Sequence, residues 1–349
     1  MSHPAAEQLQ FFIRTIVWSD YEISTPILLQ DDNGPCPLIA LINTLLLKAE
    51  VQHRNDQLND TVESHQTTAV LTLKSYLAHK PRVELPDLLS RLGDLLITFH
   101  ELSPDYDVDK LLESLPLLHM GLTVNPNLID GSFEKDSAVD LFSIFGLKLR
   151  HGWVVDLDSK VAEKVSQLKY FDSIQMYLLE NKDEVFTGWL EENSTQLTRE
   201  GMLLLNQTLE DDEFVVFFRN NHFSTLFKKS DNDFYALLTD YSFGSNTRII
   251  WQSLISSSGT DDLFFTGDFV PVLEESEDDE GSAFAREVQQ QEDLLYAQEL
   301  HEREQERARK AKQTRLPKKN PPVKEPISKS KEGTKDSKKP KKSTNCIIV

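Results

Sequence analysis

The chain has 349 residues, 39 % of them hydrophobic, with 37 Lys and Arg against 57 Asp and Glu, for a formal net charge of −20. That size supports a real core, while the acidic balance excludes the broad basic face that phosphate contacts require, so no nucleic-acid partner is expected. Without an apolar run of about 18 residues or a basic-then-apolar leader, the expected location is the cytoplasm, with the nucleus open.

The first element that carries chemistry follows Gln30. Asn33-Gly34-Pro35 is turn chemistry, Cys36 comes next, Pro37 suits the first helical position, and Leu38 to Leu47 is almost uncharged. Cys36 is therefore expected at or beside a helix N-cap. There, free amides and the positive end of the dipole favour a thiolate. Gln30, six residues upstream, lies within reach to point its amide at an oxygen under attack. A lone cysteine beside an apolar helix is also a common core residue, so the reading needs partners elsewhere.

Helical periodicity then recurs over 67–79, 86–99, 108–118, 137–145, 160–179 and 194–205, and strands are expected at 120–124, 153–156 and from Phe214 onward. Helices leading and strands following predict an α+β fold. Phe214 to Phe227 reads as two strands around a polar break that ends in His222, and a further strand at 234–238 ends in Thr239-Asp240. A nucleophile on a helix, a base on a sheet and a polar residue on the neighbouring strand are the parts of a papain-like cysteine hydrolase with a helical lobe and an antiparallel sheet. With only Cys36 and Cys346 as cysteines, neither a disulfide framework nor a structural zinc site is expected, and no cofactor or metal is called for.

Four blocks, Gln30 to Leu47, His151-Gly152-Trp153-Val154-Val155-Asp156, Phe217 to Thr225 and Leu237 to Asp240, resemble in order and spacing the signature blocks of the MINDY deubiquitinases, over roughly residues 10–271. The resemblance implies that Cys36 is the nucleophile, His222 the general base, Gln30 the oxyanion donor and Thr239 the orienter of the histidine. It also implies Lys48-linked polyubiquitin as substrate, the lysine being ubiquitin's own, and a distal-ubiquitin surface that includes Val124, Trp153, Tyr170 and Phe218. Each of those four side chains equally suits a core. Tyr241-Ser242 departs from the Gln-Gly pattern of the family at that turn.

Beyond the catalytic domain (1–271) the composition changes. An acidic linker (272–285) leads to a polar helix (286–309) with Leu294, Ala297 and Leu300 on one narrow stripe. This resembles an inverted ubiquitin-interacting helix; a solvent-exposed helix or short coiled coil is the plainer alternative. Residues 310–349 hold too little apolar content for a core and are expected to be disordered. From Arg307 onward 15 Lys and Arg face three acids, and the chain ends Cys346-Ile347-Ile348-Val349, a prenylation box behind a polybasic stretch. Val349 leans toward geranylgeranyl, and attachment to the cytosolic face of membranes follows as an expectation. The lysines alone would also fit a nuclear or nucleic-acid-binding tail. The competing functional reading is a catalytically inactive, membrane-associated polyubiquitin-binding adaptor.

Overall fold

The computed structural model describes residues 9–272, apart from positions 20, 32–33, 60, 63 and 260–261. The expected interaction helix with Leu294, Ala297 and Leu300, nearly all of the acidic linker, and the tail with Cys346 lie outside the described residues. In chain order the elements are β1 (Gln10–Trp18), β2 (Ile23–Leu28), α1 (Cys36–Leu58), α2 (His65–Leu77), β3 (Arg82–Glu84), α3 (Leu85–His100), α4 (Val108–Ser114), α5 (Leu117–Met120), α6 (Ser137–Ser143) and β4 (Leu149–Arg150). They continue with α7 (Ala162–Leu168), α8 (Phe171–Glu180), α9 (Glu184–Glu192), α10 (Arg199–Thr208), β5 (Glu213–Arg219), β6 (His222–Ser230), β7 (Asp233–Leu237), β8 (Trp251–Ser253) and β9 (Phe264–Phe265).

The strands form two sheets, β2-β1-β3 and β4-β5-β6-β7-β8-β9; every pairing is antiparallel except β4 with β5. This is an α+β fold. Helix α1 is the centre of the larger core, buried along Pro37 to Leu47 on all sides, because a helix apolar all round can only be satisfied inside a protein. It packs against α2, β2, β5 and β6. Leu73 and Leu77 of α2, Leu88, Leu92 and Leu96 of α3, and Val216, Phe218 and Phe223 of the larger sheet complete that core.

The structure corrects the predicted order. Among the described residues the first two elements form a β-hairpin, whose register runs from Ile13 opposite Leu28 to Trp18 opposite Ile23, so helices do not lead there. Residues 120–124 and 153–156 are not strands. Around Trp153 the backbone is instead satisfied piecemeal: Val155 N–H donates to Leu128, and Thr198 N–H donates to Gly152. The predicted helix over 160–179 breaks into α7 and α8 at Lys169, whose φ of 61° no helix continues. The helix expected over 194–205 begins only at Arg199, capped by the Thr198 side chain on Gly201 N–H.

Candidate active site

Two backbone hydrogen bonds bring Gln30 and Thr239 together across 209 residues of chain. Gln30 N–H donates to the Thr239 carbonyl at 2.7 Å, and Tyr241 N–H donates to the Gln30 carbonyl at 2.8 Å. The result is a parallel bridge between Gln30 and Asp240 that seams the exit of β2 to the exit of β7. From there the chain turns, with Gly34 N–H donating to Asp31 at 2.7 Å, and enters α1 at Cys36. An added Cβ on Gly34 would sit 3.0 Å from the Asp31 carbonyl oxygen and 3.2 Å from Gln30 Cγ, which is why the turn is tight enough to fold Gln30 back on it. The Gln30 Nε2 amide donates to the Gly34 carbonyl at 3.2 Å.

Cys36 is the first helical residue, with Pro35 as N-cap and Pro37 in the first turn, where a missing N–H leaves no bond unmade. The Cys36 sulfur takes a backbone hydrogen bond from Phe223, which sits one residue after His222. His222 opens β6 opposite Arg219, behind a two-residue turn in which Asn220 and Asn221 both have positive φ, 49° and 60°, the backbone that a tight hairpin demands and asparagine tolerates. Arg219 pins this turn by donating to the carbonyls of Thr195 and Ser257, each at 2.9 Å, while Asn220 N–H donates to the Gln196 side chain. Much of the Arg-Asn-Asn-His block is therefore turn architecture that fixes where His222 begins.

The electrostatics differ from the expectation for a helix N-terminus. Burial pushes the Cys36 thiol up to about 11, outweighing the lowering from the Phe223 and Cys36 backbone amides. Burial alone drives His222 down to about 4. Both groups are thus neutral near pH 7. Among the described residues, no hydrogen bond joins the His222 imidazole to Cys36 or Thr239, and Thr239 meets the site through its carbonyl.

The four side chains that the resemblance assigns to ubiquitin divide by exposure. Val124 and Tyr170 are half-buried, the latter capping α8 and bridged to Asn127. Phe218 is only 5 % exposed and packs edge-on against Phe223 at 4.9 Å and Phe133 at 5.7 Å, so it supports the strand that carries His222. Trp153, also 5 % exposed, stacks on Trp189 at 6.2 Å, and its indole N–H is buried without an acceptor. His151 of the same block is fully committed: Nε2 donates to Ser132 at 2.9 Å, Nδ1 accepts from Trp153 N–H at 3.1 Å, and burial lowers its pKa to about 4. Gly152 lies so close to α10 that a Cβ on Gly201 would fall inside its carbonyl group.

Residues missed from sequence sit behind the site. Asn43 of α1, fully buried, closes two bonds on β2: Leu28 N–H donates to its Oδ1 at 2.8 Å and its Nδ2 donates to the Leu28 carbonyl at 2.9 Å. Thr44 meets Thr225 of β6 hydroxyl to hydroxyl at 2.9 Å. Arg14 of β1, 7 % exposed, donates to the carbonyls of Phe243 and Ile249 and so holds the segment after Thr239. The signal was available for Asn43 and Thr44, as the two polar residues inside the otherwise apolar run Pro37 to Leu47 of α1.

The family model described as MINDY deubiquitinase matches residues 9–269. A ubiquitin carboxyl-terminal hydrolase of Saccharomyces cerevisiae, MIY1, is 35 % identical over 338 residues, covering 87 % of this chain and 89 % of that protein. Ubiquitin carboxyl-terminal hydrolase MINDY-1 of Danio rerio is 31 % identical over 74 % of this chain and 48 % of its own length, and that of Homo sapiens 30 % identical over 74 % and 54 %. The chain thus spans about half the length of the animal relatives it matches.

Proposed function

Since the chain belongs to the MINDY deubiquitinase family and is a cysteine-type deubiquitinase, we propose that it hydrolyses isopeptide bonds in Lys48-linked polyubiquitin through Cys36 and His222. The observation that carries this reading is the meeting, at the first turn of α1, of the Cys36 sulfur with the backbone beside His222, while Gln30 is held next to Thr239. His222 takes the thiol proton as the sulfur attacks the carbonyl carbon of ubiquitin's C-terminal glycine. The carbonyl oxygen becomes an oxyanion and is met by the Gln30 amide and the Cys36 N–H. Collapse expels the lysine amine, which leaves with the proton from His222, and a thioester remains. Water, deprotonated by His222, then releases the ubiquitin carboxylate and restores the thiol. Thr239 orients the imidazole, and Val124, Trp153, Tyr170 and Phe218 shape the surface for the distal ubiquitin, Trp153 and Phe218 chiefly from the core side.

Outside the described residues, the 286–309 segment serves as a second ubiquitin contact through Leu294, Ala297 and Leu300, and Cys346 anchors the chain to cytosolic membrane faces. Ubiquitin carrying a C-terminal electrophile tests the core of the reading. The expected result is a covalent adduct at Cys36 that Cys36→Ala abolishes, with a panel of linkages showing preferential loss of Lys48-linked chains. A folded wild-type chain that binds polyubiquitin but forms no adduct would replace this mechanism with the inactive-adaptor reading.

A further inference from the structure

We propose that Thr44 and Thr225 are positioning residues that set the height of the nucleophile's helix against the strand of the general base, an inference that rests on the roles given above to Cys36 and His222. Both side chains are essentially inaccessible, at 0 % and 1 % exposure. Their hydroxyl oxygens are 2.9 Å apart, and Thr225 Oγ1 lies 3.4 Å from the Ala40 carbonyl. A single directed chain satisfies all three groups: Thr44 O–H donates to Thr225, and Thr225 O–H donates to Ala40. The acceptor, Ala40, is one turn along α1 from Cys36, and Thr225 is two residues along β6 from Phe223, whose amide reaches the Cys36 sulfur. Polar contacts have direction and fixed length, whereas the surrounding leucine and isoleucine contacts tolerate sliding. The hydroxyl chain therefore fixes the register between the elements that bear Cys36 and His222, and Asn43, one residue away, does the same toward β2 and Gln30.

Thr44→Val tests this with little change in shape. It leaves Thr225 its Ala40 acceptor, so no buried hydroxyl is orphaned, and Thr44→Val with Thr225→Val removes the whole chain, a change that is often nearly neutral for stability. On fluorogenic or chain substrates both variants should retain KM within about twofold and lose kcat by about tenfold or more, since a small misplacement of reacting groups costs rate rather than binding. Thr44→Ser, which restores the hydroxyl, should recover at least half of wild-type kcat. If the double variant fails to unfold cooperatively, the comparison of Thr44→Val with Thr44→Ser carries the test. A folded valine variant with kcat within twofold of wild type, or serine and valine variants equally impaired, would overturn the proposal. Failure of the catalytic reading itself looks different: wild type would then form no ubiquitin adduct at Cys36.

Discussion

The raised Cys36 thiol, half-buried at the first turn of α1, makes a quantitative prediction about reactivity in the absence of ubiquitin. Burial holds Cys36 at about 11, against 9.0 for the ordinary group. Near pH 7 its thiolate fraction is then about 100-fold below that of an ordinary thiol, since each pKa unit is a factor of ~10 in that fraction. Because the thiolate is the nucleophile, alkylation by a small reagent such as iodoacetamide should be slower by a similar factor than for a free cysteine under the same conditions. Its rate should climb about tenfold per pH unit from 6.5 to 9 without levelling. The upper limit of that window is set by linkage: the native state keeps the thiol proton to higher pH than the unfolded chain, so the stability this thiol contributes is intact below 9.0 and is lost as pH rises toward 11. The assay is mass spectrometry of the Cys36 peptide after timed alkylation, with the denatured chain as internal standard. A rate that plateaus below pH 7 would mean that a thiolate and imidazolium already exist at rest, and would refute the dominance of burial over the helix N-terminus.

Asn43→Leu should destabilise the protein by about 1–3 kcal/mol for each of the two Leu28 backbone groups it orphans, measured by urea unfolding; a loss under 1 kcal/mol in total would show that water or a shifted strand takes over. Gln30→Ala should lower kcat by about 100-fold while moving KM little, as removal of an oxyanion donor does, and a change confined to KM would make Gln30 a substrate contact. Ala297→Gly with Leu300→Ala should weaken processing of long ubiquitin chains and spare the shortest cleavable one, as expected of a tethered second binding segment; equal losses on both would place these residues in the cleft. Cys346→Ser should shift the protein from membrane to soluble fractions at unchanged rate on soluble chains, and a full-length, unmodified tail recovered from the membrane fraction would remove the lipid from the account.

The parts of this fold that local chemistry dictates could be read from sequence. Turn residues, Pro37 and an uncharged run placed Cys36 at the start of α1, and Arg219-Asn220-Asn221-His222 marked the β5–β6 hairpin. What could not be read depends on partners far along the chain. In β1 a buried Arg14 interrupts the apolar alternation, because its acceptors, Phe243 and Ile249, lie more than 200 residues away. Lys169 looks like one more helical lysine; only the pairing of Leu128 N–H with its carbonyl shows why the backbone turns there. The strand-like run at 153–156 is apolar over Trp153, Val154 and Val155 because those three are buried, and its hydrogen bonds go to a loop and a helix cap in place of a neighbouring strand. The thiol misled for a related reason: a helix N-terminus favours a thiolate by a local field, but the core against which Cys36 packs is assembled from distant parts of the chain.

The same helix is therefore asked to satisfy two requirements that pull apart. As the centre of the core it must be apolar on every side, and such a surface alone would let it slide or rotate among near-equivalent packings. As the carrier of Cys36 it must hold its first turn at a fixed distance from two strands that arrive from opposite ends of the sequence. Asn43 and Thr44 reconcile the two requirements because each points its polar atoms at one strand, Leu28 for the first and Thr225 for the second, and neither leaves a buried polar group unpaired. Neighbouring helical positions diverge by about 100° around the axis, so two consecutive polar residues reach two different strands where residues a full turn apart would reach only one. The seam at Gln30 and Asp240 closes the third side, joining those strands' sheets without the helix. Cys36, His222 and Gln30 are thus held by three sets of directed bonds, each joining residues at least 15 positions apart in sequence, and the intervening apolar contacts supply the stability that lets those bonds stay made.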